Sequence, residues 1–279
     1  MKIKYLGTAA AEGWPGIFCH CPACEQARRL GGKNIRRRPQ ALINDDMMVD
    51  INCDNYSTSL DYGIDLSKIA YWPITHSHMD HFVLWDFAMR GAAFAHNLTV
   101  PVLNLYANRS VCDNFQYLSG KYFEKEVLEH LRCNYAEPFV PFTAGDYRIT
   151  PLLARHMDHE QCYIYMIQQG EKSILYAHDT GIFPQETFRY LDSLRGSLVL
   201  DLVSLDCTSG PNKEVDSHMG FAENRLIKRR LQEMGLTDPH TKYVISHFSH
   251  NCGLLHEELE AAVRGDGFIV AYDGMEMEV

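Results

Sequence analysis

The chain has 279 residues, 46% of them hydrophobic, with a formal net charge of −10, a balance that suits a globular protein with a sizeable core. The acidic excess argues against a broad polyanion-binding face, and so against a long nucleic acid partner, but not against a small phosphate ester held by metal ions. No apolar run approaches the length of a membrane span, and nine cysteines with no even framework fit a reducing cytoplasm, which is the expected location.

The first predicted strand covers residues 3–6, too short in its apolar part for a signal peptide. A loop over 19–24 then places Cys19, Cys21 and Cys24 within six positions. Three thiolates suit zinc and need one more ligand for a closed tetrahedral site. His250 is the expected fourth, with His20 as a local rival whose chain neighbours on both sides already bind. Cys53, Cys112, Cys133 and Cys162 read as core or surface thiols. Lys33, Arg36, Arg37 and Arg38 form a basic cluster expected to be a solvated loop, with a phosphate-holding role as the alternative.

Strands are predicted at 47–51 and 69–74, and the second runs into Thr75-His76-Ser77-His78-Met79-Asp80-His81. Residues two apart in an extended segment point the same way, so His76 and His78 can reach one metal ion together. Asp80 and His81 sit at the head of a predicted helix over 82–94, placed to reach a second ion. Two adjacent divalent cations can generate a hydroxide and clamp a phosphoryl or acyl centre.

Further strands are predicted at 100–106, 147–153, 162–167, 173–176, 198–205, 243–245 and 268–271. Helices are predicted over 121–132, 184–194 with Pro184 in the first turn, 221–234 and 254–263. No repeat or linker divides the sequence, so a single α/β domain over 1–279 is expected, a sandwich of two mixed sheets with helices on each side. Several strands end on a candidate ligand: His156 after 147–153, Asp179 after 173–176, and His247 after 243–245. His156 is preferred over His159 because it sits nearer the strand end. His218, in the loop after the strand that bears Asp206, has an unperturbed pKa near working pH and is the expected proton donor. Its structural alternative is a neighbour of the helix start at 221. Asp206 is expected to orient the ring of a metal-bound histidine.

His76-x-His78-x-Asp80-His81 followed by His156, Asp179 and His247 resembles the metallo-β-lactamase superfamily, whose fold is an αββα sandwich. The resemblance implies that His76, His78 and His156 hold one ion, that Asp80, His81 and His247 hold the other, and that Asp179 bridges them. A bridging aspartate typifies the phosphodiesterase and ribonuclease Z branches. With the cysteine loop, Asp206-Cys207, Ser217-His218, His247-x-x-His250 and Asp273-Gly274, the chain is similar to the PhnP-type cyclic phosphodiesterases of the carbon–phosphorus lyase pathway. In that family the Cys3His zinc is structural and the dinuclear site is catalytic.

The resemblance implies two active-site ions (zinc, manganese or iron), one structural zinc, and a substrate like phosphoribosyl 1,2-cyclic phosphate or a 2′,3′-cyclic nucleotide. A metal-bridging hydroxide would attack phosphorus, oriented by Asp80, and His218 would protonate the leaving alkoxide. The partners expected are a small phosphodiester and a second copy of the chain in a homodimer, with no membrane. The other readings are a ribonuclease Z-like nuclease, a PqqB-like non-hydrolytic protein of coenzyme biosynthesis, and a lactonase or thiolesterase. Leu84 stands where many relatives carry glycine, and residues 85–135, which show no clear correspondence, are expected to line the pocket.

Overall fold

The structure, a computed structural model, describes residues 1–212 and 216–279. In chain order the first half holds β1 (Lys2–Gly7), α1 (Pro22–Leu30), β2 (Gln40–Ile43), β3 (Met47–Val49), α2 (Asn55–Tyr62), β4 (Tyr71–Pro73), β5 (Leu103–Ala107), α3 (Arg109–Tyr122), α4 (Lys125–Glu129) and β6 (Leu131–Tyr135). The second half holds β7 (Phe142–Ala144), β8 (Tyr147–Leu153), β9 (Tyr163–Gln169), β10 (Lys172–Ala177), α5 (Gln185–Ser193), β11 (Leu202–Asp206), α6 (Phe221–Glu233), β12 (Lys242–Ser246), α7 (His256–Val263), β13 (Phe268–Val270) and β14 (Glu276–Glu278).

Two seven-stranded sheets form, in the orders β14-β1-β2-β3-β4-β5-β6 and β13-β12-β11-β10-β9-β8-β7. Strand alternation explains how they stack. Ile174, Tyr176, Leu202 and Val244 face inward with Ile3, Tyr5, Ile43 and Val49 of the other sheet, in one buried cluster. Their neighbours Leu175, Val203, Leu205 and Ile245 point outward and are covered by Phe188 and Leu191 of α5, Ile227 and Leu231 of α6, and Leu259 of α7. On the far side Leu42, Met48, Trp72 and Leu105 pack under Val111 and Phe115 of α3. This is the αββα sandwich that the sequence led us to expect.

Some elements differ from the sequence reading. The predicted helix over 82–94 is only a 3-10 segment, Trp85–Arg90, because Phe82 is held in a parallel bridge to Ile51 and Val83 donates its N–H to the Ile51 carbonyl at 2.9 Å. The predicted helix over 121–132 is cut short: α3 ends at Tyr122, α4 is brief, and Leu131 starts an edge strand pairing in parallel with Leu103. Pro184 caps α5 rather than opening it.

The basic cluster is not a solvated loop. Arg36 is buried, its guanidinium donating to Thr8 Oγ1 at 2.8 Å and the Ala271 carbonyl at 2.6 Å, while Arg38 pairs with Asp54 and Arg37 with Asp61. Each cation has a partner, so the cluster ties loops together.

Candidate metal centre

Parallel pairing of β10, β11 and β12 aligns Ala177 with Leu205 and Leu205 with Ile245, so the chain leaves all three strands at one sheet edge. Asp179, Asp206 and His247 therefore emerge side by side. β4 brings the histidine loop to the same edge from the other sheet, and Tyr163 N–H donates to the Thr75 carbonyl at 2.9 Å, fastening the loop to β9. Asp50, Asp179 and His247 all hold positive φ, at 63°, 54° and 63°. For non-glycine residues that backbone is costly and persists where the surroundings impose it.

One carboxylate oxygen lies at the middle of the cluster. Asp179 Oδ2 is 3.3 Å from His76 Nε2, 3.5 Å from His156 Nε2, 2.9 Å from His81 Nε2 and 3.6 Å from His247 Nε2. His78 Nδ1 is 3.0 Å from His76 Nε2 and 3.1 Å from His156 Nε2, and Asp80 Oδ2 is 3.1 Å from His81 Nε2. Two four-residue donor sets are built on the histidine loop, His76/His78/His156/Asp179 and Asp80/His81/Asp179/His247, and a third group, Asp179/Asp206/His218/His247, lies beside them. They share Asp179. His159 is exposed and outside both sets.

The residues fit divalent cations by their own chemistry. His81 Nε2 and His247 Nε2 are buried without a hydrogen-bond partner of good geometry, although His81 Nε2 lies close to the Asp179 carboxylate, and buried Asp179 Oδ1 has only His218 Nδ1 beside it, at 3.0 Å. Orphaned buried acceptors of this kind are what a cation would satisfy.

Charge separates the histidines. Burial, with His81 nearby, pulls His76 down to about 3. Burial also acts against charge on His81, but the carboxylates of Asp80 and Asp50 outweigh it and raise it well above the ordinary value. Asp179 is held well below the carboxylate range, since the surrounding histidines overcome its burial.

A second layer orients these donors. Asp50, fully buried, receives the Thr75 N–H at 2.7 Å and lies 2.8 Å from His81 Nδ1, which fixes that ring with Nε2 toward the centre. Glu160 accepts the Ser77 N–H at 2.9 Å and the Asn108 amide at 2.6 Å, and also takes the Ser77 hydroxyl. Thr208 Oγ1 contacts His247 Nδ1 at 2.8 Å and donates to Asp206 Oδ2 at 3.0 Å. Asp206 thus reaches His247 mainly through Thr208, its own Oδ2 being 3.4 Å from the ring nitrogen. Asp50, Glu160, Asn108 and Thr208 were not singled out from sequence. Only Asp50 left a signal, an acid at the end of a strand read as 47–51.

His218 Nδ1 lies 3.0 Å from Asp179 Oδ1 and 3.4 Å from Asp206 Oδ2. Burial lowers its basicity, but the two carboxylates override that and raise it to about 11. The cleft has a volume of about 500 Å³ and is lined by Glu12, Ser209, Asn212, His218 and Asn251 beside the donors. Residues 85–135 contribute nothing to this lining among the described residues, contrary to expectation. Its walls come instead from the loops after β1, β11 and β12, because those strands end at this edge. No lysine or arginine is among the lining residues described.

The cysteine loop forms a separate cluster with His250. His250 Nδ1 is 3.4 Å from Cys21 Sγ and 3.8 Å from Cys19 Sγ, and Gly16 N–H donates to Cys24 Sγ at 3.2 Å. His20 turns away to Glu25 at 2.7 Å. Cys21 caps α1 and its thiol is lowered to about 6: burial opposes this, but the Cys24 N–H, the two thiols and His250 prevail. Three sulfurs and one imidazole nitrogen are the donor set of a closed zinc site.

A family model described as a beta-lactamase superfamily domain matches residues 62–247, more than half of the chain. An octanoyltransferase of Porphyromonas gingivalis is 26% identical over 284 residues, covering 99% of this chain and 51% of its own length. The chain spans about half the length of that curated relative. A diphosphatase of the PhnP family superposes with a TM-score of 0.73 at 21% identity, over 100% of this chain and 97% of its own. Zn2+-bound PqqB from Methylobacterium extorquens gives 0.69 at 14% identity, over 100% of each chain. Both are likenesses of fold.

Proposed function

The chain belongs to the beta-lactamase superfamily, and from that premise we propose that it is a metal-dependent hydrolase of a small phosphodiester, cyclic in form. The observation that carries the reading is Asp179 Oδ2, within 3.6 Å of nitrogens from both histidine sets. A carboxylate so shared suits a pair of cations at one centre. His76, His78 and His156 would hold one and Asp80, His81 and His247 the other, with Asp179 common to both. Such a pair supplies Lewis acidity and an activated nucleophile when bound.

The chain's own residues account for the rest. Because the described lining lacks lysine and arginine, the protein partners proposed for an anionic substrate are His218 and the amides of Asn212 and Asn251. That supports one small phosphodiester over a long RNA, whose many phosphates need many cations. His218, 3.0 Å from Asp179 Oδ1 at the side of the centre, is the proposed proton donor. The leaving alkoxide is its proposed target. Asp80, beside His81, would orient the nucleophile. The Cys19/Cys21/Cys24/His250 cluster is proposed as a structural zinc site.

The test is turnover by metal-loaded protein of bis-p-nitrophenyl phosphate and a ribose cyclic phosphate, with a short RNA, a lactone and an octanoyl thioester alongside. The last arm reflects a second reading, an acyl substrate, which the octanoyltransferase relative favours. Phosphodiester turnover that drops on His218→Ala while bound metal stays constant is the expected result. No phosphodiester turnover with any first-row divalent metal would overturn the reading.

A further inference from the structure

Away from the metal centre, Cys112 of α3 and Cys133 of β6 meet. Their sulfurs are 3.2 Å apart, with the Cys133 S–H donating to Cys112. Both are half-buried and line an open groove of about 400 Å³ together with Arg109, Asp113 and Tyr135. Access and proximity thus coincide at one pair of thiols. The hydrogen bond from Cys133 lowers the Cys112 thiol, against burial and with help from the Arg109 charge, while the same bond and burial push Cys133 up. The two therefore differ in role, Cys112 as the more acidic thiol and Cys133 as its partner.

We propose that Cys112 and Cys133 form a reversible disulfide when the protein meets a hydroperoxide, and that this bond loosens the histidine loop through α3. The Cys112 thiolate attacks one peroxide oxygen, the O–O bond breaks, and water or an alcohol leaves with a sulfenic acid on Cys112. The Cys133 sulfur then attacks that sulfur, the S–O bond breaks, and a second water leaves. Two thiols lose two electrons and the peroxide gains them. A thiol reductant reverses the bond by exchange.

The route to the loop is short. A disulfide needs the sulfurs at about 2.05 Å against the 3.2 Å between them here, and the proposed coupling is that the first turn of α3 moves toward β6 as they close. Cys112 N–H donates to the Asn108 carbonyl at 3.1 Å, and Asn108 caps α3 through Oδ1 to the Val111 N–H at 2.9 Å. The same side chain donates to Glu160 at 2.6 Å, and Glu160 holds the Ser77 N–H between His76 and His78. Movement of Asn108 therefore stretches a bond two steps from the metal loop.

The experiment treats full-length, metal-loaded protein with hydrogen peroxide near one equivalent, followed by differential alkylation and peptide mapping. A Cys112–Cys133 cross-linked peptide that dithiothreitol abolishes is expected, while the exposed Cys53 is modified more slowly. Cys133→Ser and Cys133→Ala should each leave a dimedone-reactive sulfenic acid on Cys112. Amide exchange of the peptide spanning 75–81 should quicken several-fold in the oxidised protein and stay unchanged in Cys112→Ser. Absence of the cross-link, or oxidation of Cys112 no faster than Cys53, overturns the disulfide. A cross-link with unchanged or slower exchange at 75–81 overturns the coupling.

Discussion

Lowering the pH should destabilise the protein through His256, a histidine that belongs to neither cluster. Its ring is buried, with Nδ1 accepting from Arg36 Nη2 at 3.0 Å and Nε2 donating to Glu260 at 2.9 Å. An arginine can only donate, so this arrangement requires a neutral imidazole. Burial first, then the Arg36 charge, with Lys33 adding to it, lowers the pKa to about 4, and Glu260 only partly opposes them. The unfolded value is about 6.5. Because the folded value is the lower one, the contribution is fully present above about pH 6.5 and is lost as the pH falls toward the folded value. Between about pH 7.5 and about pH 5 the loss from this one group is roughly 2 kcal/mol. The assay is urea unfolding across that range for the wild type and His256→Gln, in parallel. Every other titratable group is present in both proteins, so the difference in pH slope reports on His256. Equal slopes would refute the argument, whatever the absolute stability of the variant.

Asp50→Asn removes the charge behind His81 and should weaken metal binding about 10- to 100-fold, measured by competition with a chromophoric chelator. Gly16→Ala should impair zinc retention at the cysteine cluster, because its new Cβ would lie 3.1 Å from His250 Cδ2 and 3.1 Å from Cys19 Cβ. Crowding of that order costs about 1–3 kcal/mol, read as faster zinc release to a chelator. Glu160→Ala leaves the Ser77 and Asn108 donors without an acceptor and should lower stability by about 1–3 kcal/mol, seen as a drop in Tm.

What could be read from sequence was what lies within one stretch of chain. The histidine loop declares itself because four donors fall in six positions, and β8 was bounded correctly because its apolar run is long and ends cleanly. His156 was preferred over His159 on distance from the strand end, and the structure puts His156 in the cluster. Long-range partners left no such trace. Glu160 matters because it faces Ser77, 83 residues away, and nothing in its own neighbourhood announces that. α3 escaped notice because its buried face is only Val111, Phe115 and Ser119, too sparse beside an adjacent apolar run that became α4 and β6. The pocket walls were misplaced for a related reason: they depend on which loops share an edge, which is set by strand order.

That edge also couples the two clusters. His247 and His250 are three residues apart, so a zinc bound at the cysteine loop would hold the segment that presents His247. The segment is pinned from below as well. Phe248 N–H donates to the Thr8 carbonyl at 2.8 Å, its own carbonyl receives the Ala10 N–H at 2.9 Å, and the Arg36 guanidinium lies 4.6 Å from the Phe248 ring centre. These bonds can hold His247 at its φ of 63°, a conformation that costs on the order of 1–3 kcal/mol for such a residue. Ser249 carries the link to the other side, donating to Glu12 at 2.6 Å, and Glu12 lines the cleft. A metal-filled cysteine loop would therefore fix both a histidine of the other cluster and a wall of the cleft. The short spacing from His247 to His250 leaves that restraint little slack.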